Sequence, residues 1–250
     1  MIDSIFLIVP AFLLAGAIKG IVGFALPIVA LAILVNGFAL PDAIALTLGP
    51  ALFTNFWQSF TGGHFQQIVR RIWPLLLVAC FSTWIGVYIL SIANLTYLKL
   101  LLGFVLILYA GISMLTPQIP PPKPSLEKWL SPVFGFMGGL VLGTTGIFTV
   151  PAILYLQALG LERDVLIQAM GISFTVAMAV LGVSMTGQDM LSIELGLMSA
   201  FAVLPALIGM TIGQRVRKKV PELKFRQLFF MALFLSGLYI FFQAFSSYFH

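Results

Sequence analysis

Charge is scarce in this chain. Of its 250 residues only 8% are Asp, Glu, Lys or Arg, where a soluble domain carries about 25%. A water-facing surface cannot be built from so few. That excludes a soluble enzyme, a nucleic-acid binder and a disordered chain. The single cysteine, Cys80, excludes an internal disulfide and any multi-thiolate metal site. Two histidines, His64 and His250, are too few for a histidine-based metal centre. No Gly-x-x-x-x-Gly-Lys-Ser/Thr sequence occurs, so ATP is not hydrolysed through a P-loop. Neither paired acids nor a Ser/His pair is visible at membrane depth. No catalysis, no metal and no cofactor are expected.

Apolar residues are present in excess. They make up 60% of the chain, and the mean hydropathy is +1.09. The expectation is an all-α polytopic membrane protein. The net charge of +5 comes from 13 basic and 8 acidic residues, and in a membrane protein such an excess marks cytoplasmic loops. Residues 4–18 are apolar, but only Asp3 precedes them and no small-residue cleavage site follows. A secretory signal has a basic leading region, so the segment is expected to be a retained membrane helix.

Charge-free runs of about 20 residues read as membrane spans. Six lie near 43–60, 72–93, 97–116, 165–186, 193–214 and 226–246. Two longer stretches are broken. Residues 4–35 contain Lys19, Gly20, Gly23 and Pro27, and residues 129–158 contain Gly138, Gly139, Gly143, Gly146 and Pro151. A straight 32-residue helix would reach about 48 Å, against a hydrocarbon core of about 30 Å. Each stretch therefore tilts strongly or breaks into two half-helices.

The proline-rich run from Thr116 to Pro124 is not expected to be helical, and residues 116–125 are read as a linker. It separates residues 1–115 from 126–250, and the two segments echo one another. Gly20-Ile-Val-Gly23-Phe-Ala-Leu-Pro27 matches Gly143-Thr-Thr-Gly146-Ile-Phe-Thr-Val-Pro151 with one inserted residue. Asp42 through Gly49 matches Asp164 through Gly171, Gly86 matches Gly209, and Gly111 matches Gly237. Four matches in order at nearly constant offset imply two homologous membrane repeats.

Loop charges discriminate between two architectures. If both broken stretches span, the halves are parallel repeats, and the basic loop residues divide four against eight. If both are re-entrant, each half has three full spans and the second is inverted. One side then collects Arg70, Arg71, Lys123, Lys128, Arg163 and the six basic residues from Arg215 to Arg226, leaving Lys99 opposite. The bias of eleven to one favours the inverted repeat. Re-entrant backbone is tolerated where it is buried in protein or lines a cavity. Both architectures place both termini outside the cytoplasm.

Paired Gly/Pro-interrupted segments in two inverted halves are the sequence pointer to a transporter's binding site. A half-helix that begins inside the membrane offers unpaired N–H groups to an anion. The candidates are Gly20 and Gly23 in the first break and Thr144, Thr145 and Gly146 in the second, with Thr149 a further hydroxyl. The bland reading is close helix packing through small residues. Lys19 lies about 22 Å into the first segment at helical rise, where a cation is by default functional; the alternative is snorkelling to an interface. Thr47, Thr54, Asn55 and Gln58 in one half, and Gln168, Ser173 and Thr175 in the other, are further polar residues. Of these, Asn55, Gln58, Gln168 and Thr175 join the candidate site; interhelical hydrogen bonds of about 0.6 kcal/mol are the competing reading. Asp42 and Asp164 read as helix N-caps, and His64 as a loop residue.

At Lys19-Gly20-Ile-Val-Gly23-Phe-Ala-Leu-Pro27, its echo Gly135–Pro151, the Gly62-Gly63-His64 loop and the duplicated halves, the sequence resembles the TauE/SafE family of sulfite and organosulfonate exporters. The resemblance covers nearly the whole chain. The first break lacks the run of three glycines common in that family, and the second reads Gly-Thr-Thr-Gly. The family implies export of a small sulfur-containing anion such as sulfite or sulfoacetate, held between the interrupted helices near the bilayer midplane. Uptake or export of another small organic anion, or a non-transporting membrane subunit, is the alternative. The partners expected are that anion and membrane lipid, with no nucleic acid, in a multi-pass inner-membrane protein.

Overall fold

The computed structural model describes residues 2–115, 121–217 and 222–246. Among them every regular element is helical. In chain order these are α1 (Ile2–Val22), α2 (Leu26–Leu34), α3 (Leu40–Phe60), α4 (Phe65–Ile92), α5 (Leu95–Leu115), α6 (Pro124–Thr145), a π-turn (Thr149–Ile153), α7 (Leu154–Ala158), α8 (Arg163–Gly187), α9 (Ile193–Arg217) and α10 (Glu222–Ser246). Residues 116–120 of the linker, Lys218 and Lys219 lie outside the described residues, as do the side chains of Thr149, Arg163, Lys224 and Arg226.

Among the described residues six helices are long and apolar enough to cross a membrane: Ile5–Val22, Phe65–Ile92, Leu95–Leu115, Asp164–Gly187, Ile193–Arg217 and Gln227–Ser246. Five of them coincide with the apolar runs read from the sequence. The sixth expected run, 43–60, does form a helix, α3. Thr47, Thr54, Asn55, Gln58 and Ser59 make it less apolar than the others, and α1 takes its place among the six.

The chain divides into two compact units. One comprises Met1–Pro50, Ile92–Thr116 and Ser192–His250; the other comprises Ala51–Ser91 and Pro117–Leu191. Each unit therefore draws helices from both sequence halves. In the first unit α1 packs along α9. Gly16 faces Ala206, and Gly20 faces Met210 and Gly213. Residue numbers rise together along the seam, so α1 and α9 run parallel. In the second unit Gly135 faces Leu75, Gly139 faces Ala79, and Gly143 faces Thr83 and Gly86, so α6 and α4 run parallel too. On these seams backbone lies against backbone, which only small residues allow. In the first unit α5 and α10 pack antiparallel, with Gly103 against Phe241 and Gly237 against Ile107. Ser199 on α9 ties down α3: its hydroxyl donates to the Leu46 carbonyl at 3.0 Å and accepts the Gly49 N–H at 2.8 Å.

Both long stretches are interrupted where glycine and proline interrupt the sequence, and both double back. In the first unit α2 packs against α1, and Gly37, just past α2, lies against the Leu7 side chain near the start of α1. In the second unit Gly160, just past α7, lies against Pro121, just before α6. Arg71 on α4 holds this return. Its guanidinium forms a two-point pair with Glu127 of α6, Nε–Oε1 2.7 Å and Nη2–Oε2 3.0 Å, and donates to the Leu159 carbonyl at 3.2 Å. Tyr155 adds a bond from its hydroxyl to the Glu127 carbonyl at 3.3 Å, and its ring stacks on Phe134.

The aspartates differ from expectation in detail. Asp42 and Asp164 lie in the first turns of α3 and α8, where a carboxylate complements the helix dipole. The residue at the cap of α8 is Glu162, which makes no side-chain cap bond.

Overpacking a tight seam costs about 1–3 kcal/mol. A side chain at Gly209 would collide with the backbone of Leu13 and Ala17, whereas nothing lies within 4 Å of one at Gly196 on the same helix. Gly209→Leu is therefore expected to lower the unfolding temperature in detergent by several degrees. Gly196→Leu should leave it nearly unchanged. Equal melting of the two variants would remove the α1–α9 seam as the source of that stability.

Candidate functional site

The two breaks are built alike. In the first, the Gly23 N–H donates to the Lys19 carbonyl at 2.7 Å, and Gly23 takes φ +93°. In the second, the Gly146 N–H donates to the Leu142 carbonyl at 2.7 Å, and Gly146 takes φ +76°. A left-handed residue closing the last turn is how helices end with glycine, since a Cβ there is strained. Each stop is followed by a short non-helical passage and a proline near the next helical start. Pro27 sits in the first turn of α2, where its missing N–H leaves no bond unmade. Ala25, which precedes α2, is also left-handed, at φ +81°. For a residue with a Cβ this costs about 1–2 kcal/mol.

The surroundings of the two breaks differ. Residues 21–24 are half-exposed, and nothing lies within 4 Å of a Cβ built on Gly23. Residues 142–148 are all buried. There Thr145 completes the stop: its hydroxyl donates to the Val141 carbonyl at 2.6 Å and accepts the Ile147 N–H at 3.3 Å. Thr144 donates back to the Leu140 carbonyl at 2.9 Å. Phe148 meets Phe174 of α8 edge-on, with ring centroids 6.1 Å apart.

Lys19 is 4% exposed and lies in the last turn of α1, one turn before Gly23. The carbonyl end of a helix carries partial negative charge, which favours a cation there. Gly20, beside it, is pressed against α9 at Met210 and Gly213. Lys19, Gly20 and Gly23 thus stand together in the first unit.

The remaining candidates fall in the second unit, in two places. Thr144, Thr145 and Gly146 form the end of α6. Gln58 and Gln168 form a reciprocal tie between α3 and α8: Gln58 Nε2 donates to the Ile167 carbonyl at 2.8 Å, and Gln168 Nε2 donates to the Ser59 carbonyl at 3.0 Å. Gln168 Oε1 accepts the backbone N–H of His64 at 3.0 Å and lies against Gly62. One carboxamide therefore fixes both the end of α3 and the loop after it. Gly171, one turn on, lets the α3 backbone at Gln58 and Ser59 approach. Asn55 is buried on α3, and Thr175 donates to its own helix at Gly171, 2.7 Å.

Sequence reading missed Arg71 as the residue that holds the second hairpin closed. It had been counted only as a loop charge, and no spacing links positions 71, 127 and 159. Ser199 was missed for the same reason. Among the described residues no cluster of three His, Cys, Asp or Glu side chains could hold a metal.

Removing the Gln168 carboxamide leaves a buried carbonyl and a loop N–H without partners, which costs about 1–3 kcal/mol. Gln168→Ala is expected to destabilise the protein by that amount in thermal unfolding, and to speed proteolysis in the Thr61–His64 loop. Unchanged melting and cleavage would show the tie to be dispensable.

Comparison with known proteins agrees with the resemblance. The family model described as sulfite exporter TauE/SafE matches residues 8–240. No curated protein and no solved structure matches the chain.

Proposed function

Because the chain belongs to the TauE/SafE sulfite exporter family, we propose that it is a secondary transporter that moves sulfite or a small organosulfonate, such as sulfoacetate, outward across the inner membrane. Membership makes it a multi-pass protein of a transporter family. The substrate, the direction and the residues that serve it are this proposal. The observation that carries it is Lys19: a buried lysine one turn before a helix break, in a span otherwise free of charge.

In this reading Lys19 attracts the substrate's negative charge. Gly23 lets the chain turn beside it and keeps the turn open, while Gly20 lets α1 pack on α9 next to it. Thr144, Thr145 and Gly146 shape the corresponding turn of the second unit. Gln58 and Gln168 tie α3 to α8, and Asn55 and Thr175 lie on those same helices. The membrane potential, negative inside, favours anion exit by about 2.3 kcal/mol per charge per 100 mV. An outward anion carrier therefore needs no co-transported ion.

We read the two halves as an inverted repeat with re-entrant hairpins. Support comes from the stops at Gly23 and Gly146, which are 123 residues apart and bonded to carbonyls also 123 apart. Further support comes from each hairpin returning to the level at which it began. The eleven-to-one loop charge then places the linker and the 215–226 loop in the cytoplasm and both termini outside. In a variant lacking Cys80, Ser125→Cys should react with an impermeant thiol reagent only after the cells are opened. Asn94→Cys should react in intact cells. Labelling of position 125 from outside would overturn the inverted arrangement.

Transport tests the site. Uptake of labelled sulfite into inside-out vesicles should fall about tenfold at limiting substrate in Lys19→Gln, a loss of about 1.4 kcal/mol. Lys19→Arg should keep part of it, because charge persists while shape and hydration change. Gly146→Leu, which places a side chain on a left-handed buried turn, should abolish uptake while the protein still inserts. Wild-type uptake by Lys19→Gln would make the residue a packing lysine.

A further inference from the structure

The second unit carries a basic cleft that the transport reading does not use. It lies between the parallel helices α4 and α6, holds about 580 Å³, and is lined by Arg70, Arg71, Trp73, Glu127, Lys128 and Ser131 among others. Arg71 is committed to Glu127, the single ion pair among the described residues. Arg70 and Lys128 are exposed and have no carboxylate partner among those residues. Two cations thus face one cleft at the same end of two parallel helices.

What lies further along α4 gives the cleft its chemistry. The exposed residues Trp73, Leu77 and Phe81 recur every four positions, beginning at Trp73 in the cleft lining. Residues four apart share a helix face. α4 therefore presents a continuous apolar stripe that starts at the cleft, with a tryptophan at its head. Tryptophan is favoured at the headgroup level of a bilayer, and basic pockets between membrane helices accept lipid phosphates. A small hydrated anion would satisfy the two cations but has no use for the stripe. An amphiphile with an anionic head satisfies both.

We propose that this cleft is a binding site for one anionic phospholipid, its phosphate between Arg70 and Lys128 and its acyl chains along the α4 stripe. The lipid would brace the two helices on the side where Arg71 already pins the return of the α6–α7 hairpin.

The test is native mass spectrometry of the full-length protein in detergent, with added phosphatidylglycerol or phosphatidylcholine. Wild type should retain phosphatidylglycerol in preference to phosphatidylcholine. Each near-surface charge is worth about fivefold in affinity for an anionic lipid, so the double variant Arg70→Gln, Lys128→Gln should weaken phosphatidylglycerol retention about thirtyfold. Lys99→Gln, in the first unit, should leave it unchanged. Both substituted residues are exposed, and an unaltered melting curve without lipid verifies that the double variant is folded. Equal retention by wild type and double variant would overturn the proposal. So would displacement of the lipid by millimolar sulfite or inorganic phosphate, which would make the cleft a site for soluble anions. Loss of lipid retention with transport intact, or the reverse in Lys19→Gln, separates this site from the transport reading.

Discussion

Every peptide group inside a bilayer must find its hydrogen-bond partner within the protein, because no water is there to supply one. A straight helix meets that demand along its whole length, and a broken one does not. The two breaks in this chain are therefore the most constrained points of the structure. Each is closed by the same device: a glycine in the left-handed conformation returns its N–H to the carbonyl four residues before it. In the buried second break Thr145 spends both its proton and a lone pair on neighbouring backbone. Elsewhere too, side-chain hydroxyls and carboxamides serve backbone groups, as at Ser199, Gln58 and Gln168.

Breaking the helices has a second consequence. A hairpin that turns back must be packed along its length by something other than its own continuation. Here α1 lies along α9 and α6 along α4, each a helix from the opposite sequence half. The contact is close because glycine and alanine line it. Lipid offers an apolar side chain nearly the same surroundings as protein does, so association rests on such close packing and on hydrogen bonds. This explains why so many of the glycines lie on seams rather than in loops. The second hairpin is tied in addition by the Arg71–Glu127 pair, at the helix ends where charge is exposed.

In the proposed reading, transport chemistry sits on this scaffold with few charges to spare. Lys19 stands at the carbonyl end of α1, whose dipole favours the ammonium, and its main chain belongs to the break itself. The glutamines that seemed free to meet a substrate from their sequence positions hold α3, α8 and the Gly62–His64 loop together. Their place in a transport cycle would be to position helices.

Composition alone determined that this is a membrane protein, because 8% charge cannot clothe a soluble fold, and charge-free runs of about 20 residues made its spans helical. Glycine and proline located both interruptions, since the φ angles that end a helix are open to few residues. The apolar runs located five of the six candidate spans, and the residues around Lys19 pointed to the transporter family. Local pattern could go no further. It did not show Ala25 in a left-handed turn, because alanine carries no such signature and only the packed hairpin holds it there. It counted Arg71 as a loop charge and Gln168 as a candidate ligand, because a hydrogen bond between positions 71 and 159, or 168 and 59, has no spacing to read. Least of all could it show which helix lies along which. That pairing is decided by matching surfaces far apart in the chain, where a glycine on one helix meets a carbonyl on another.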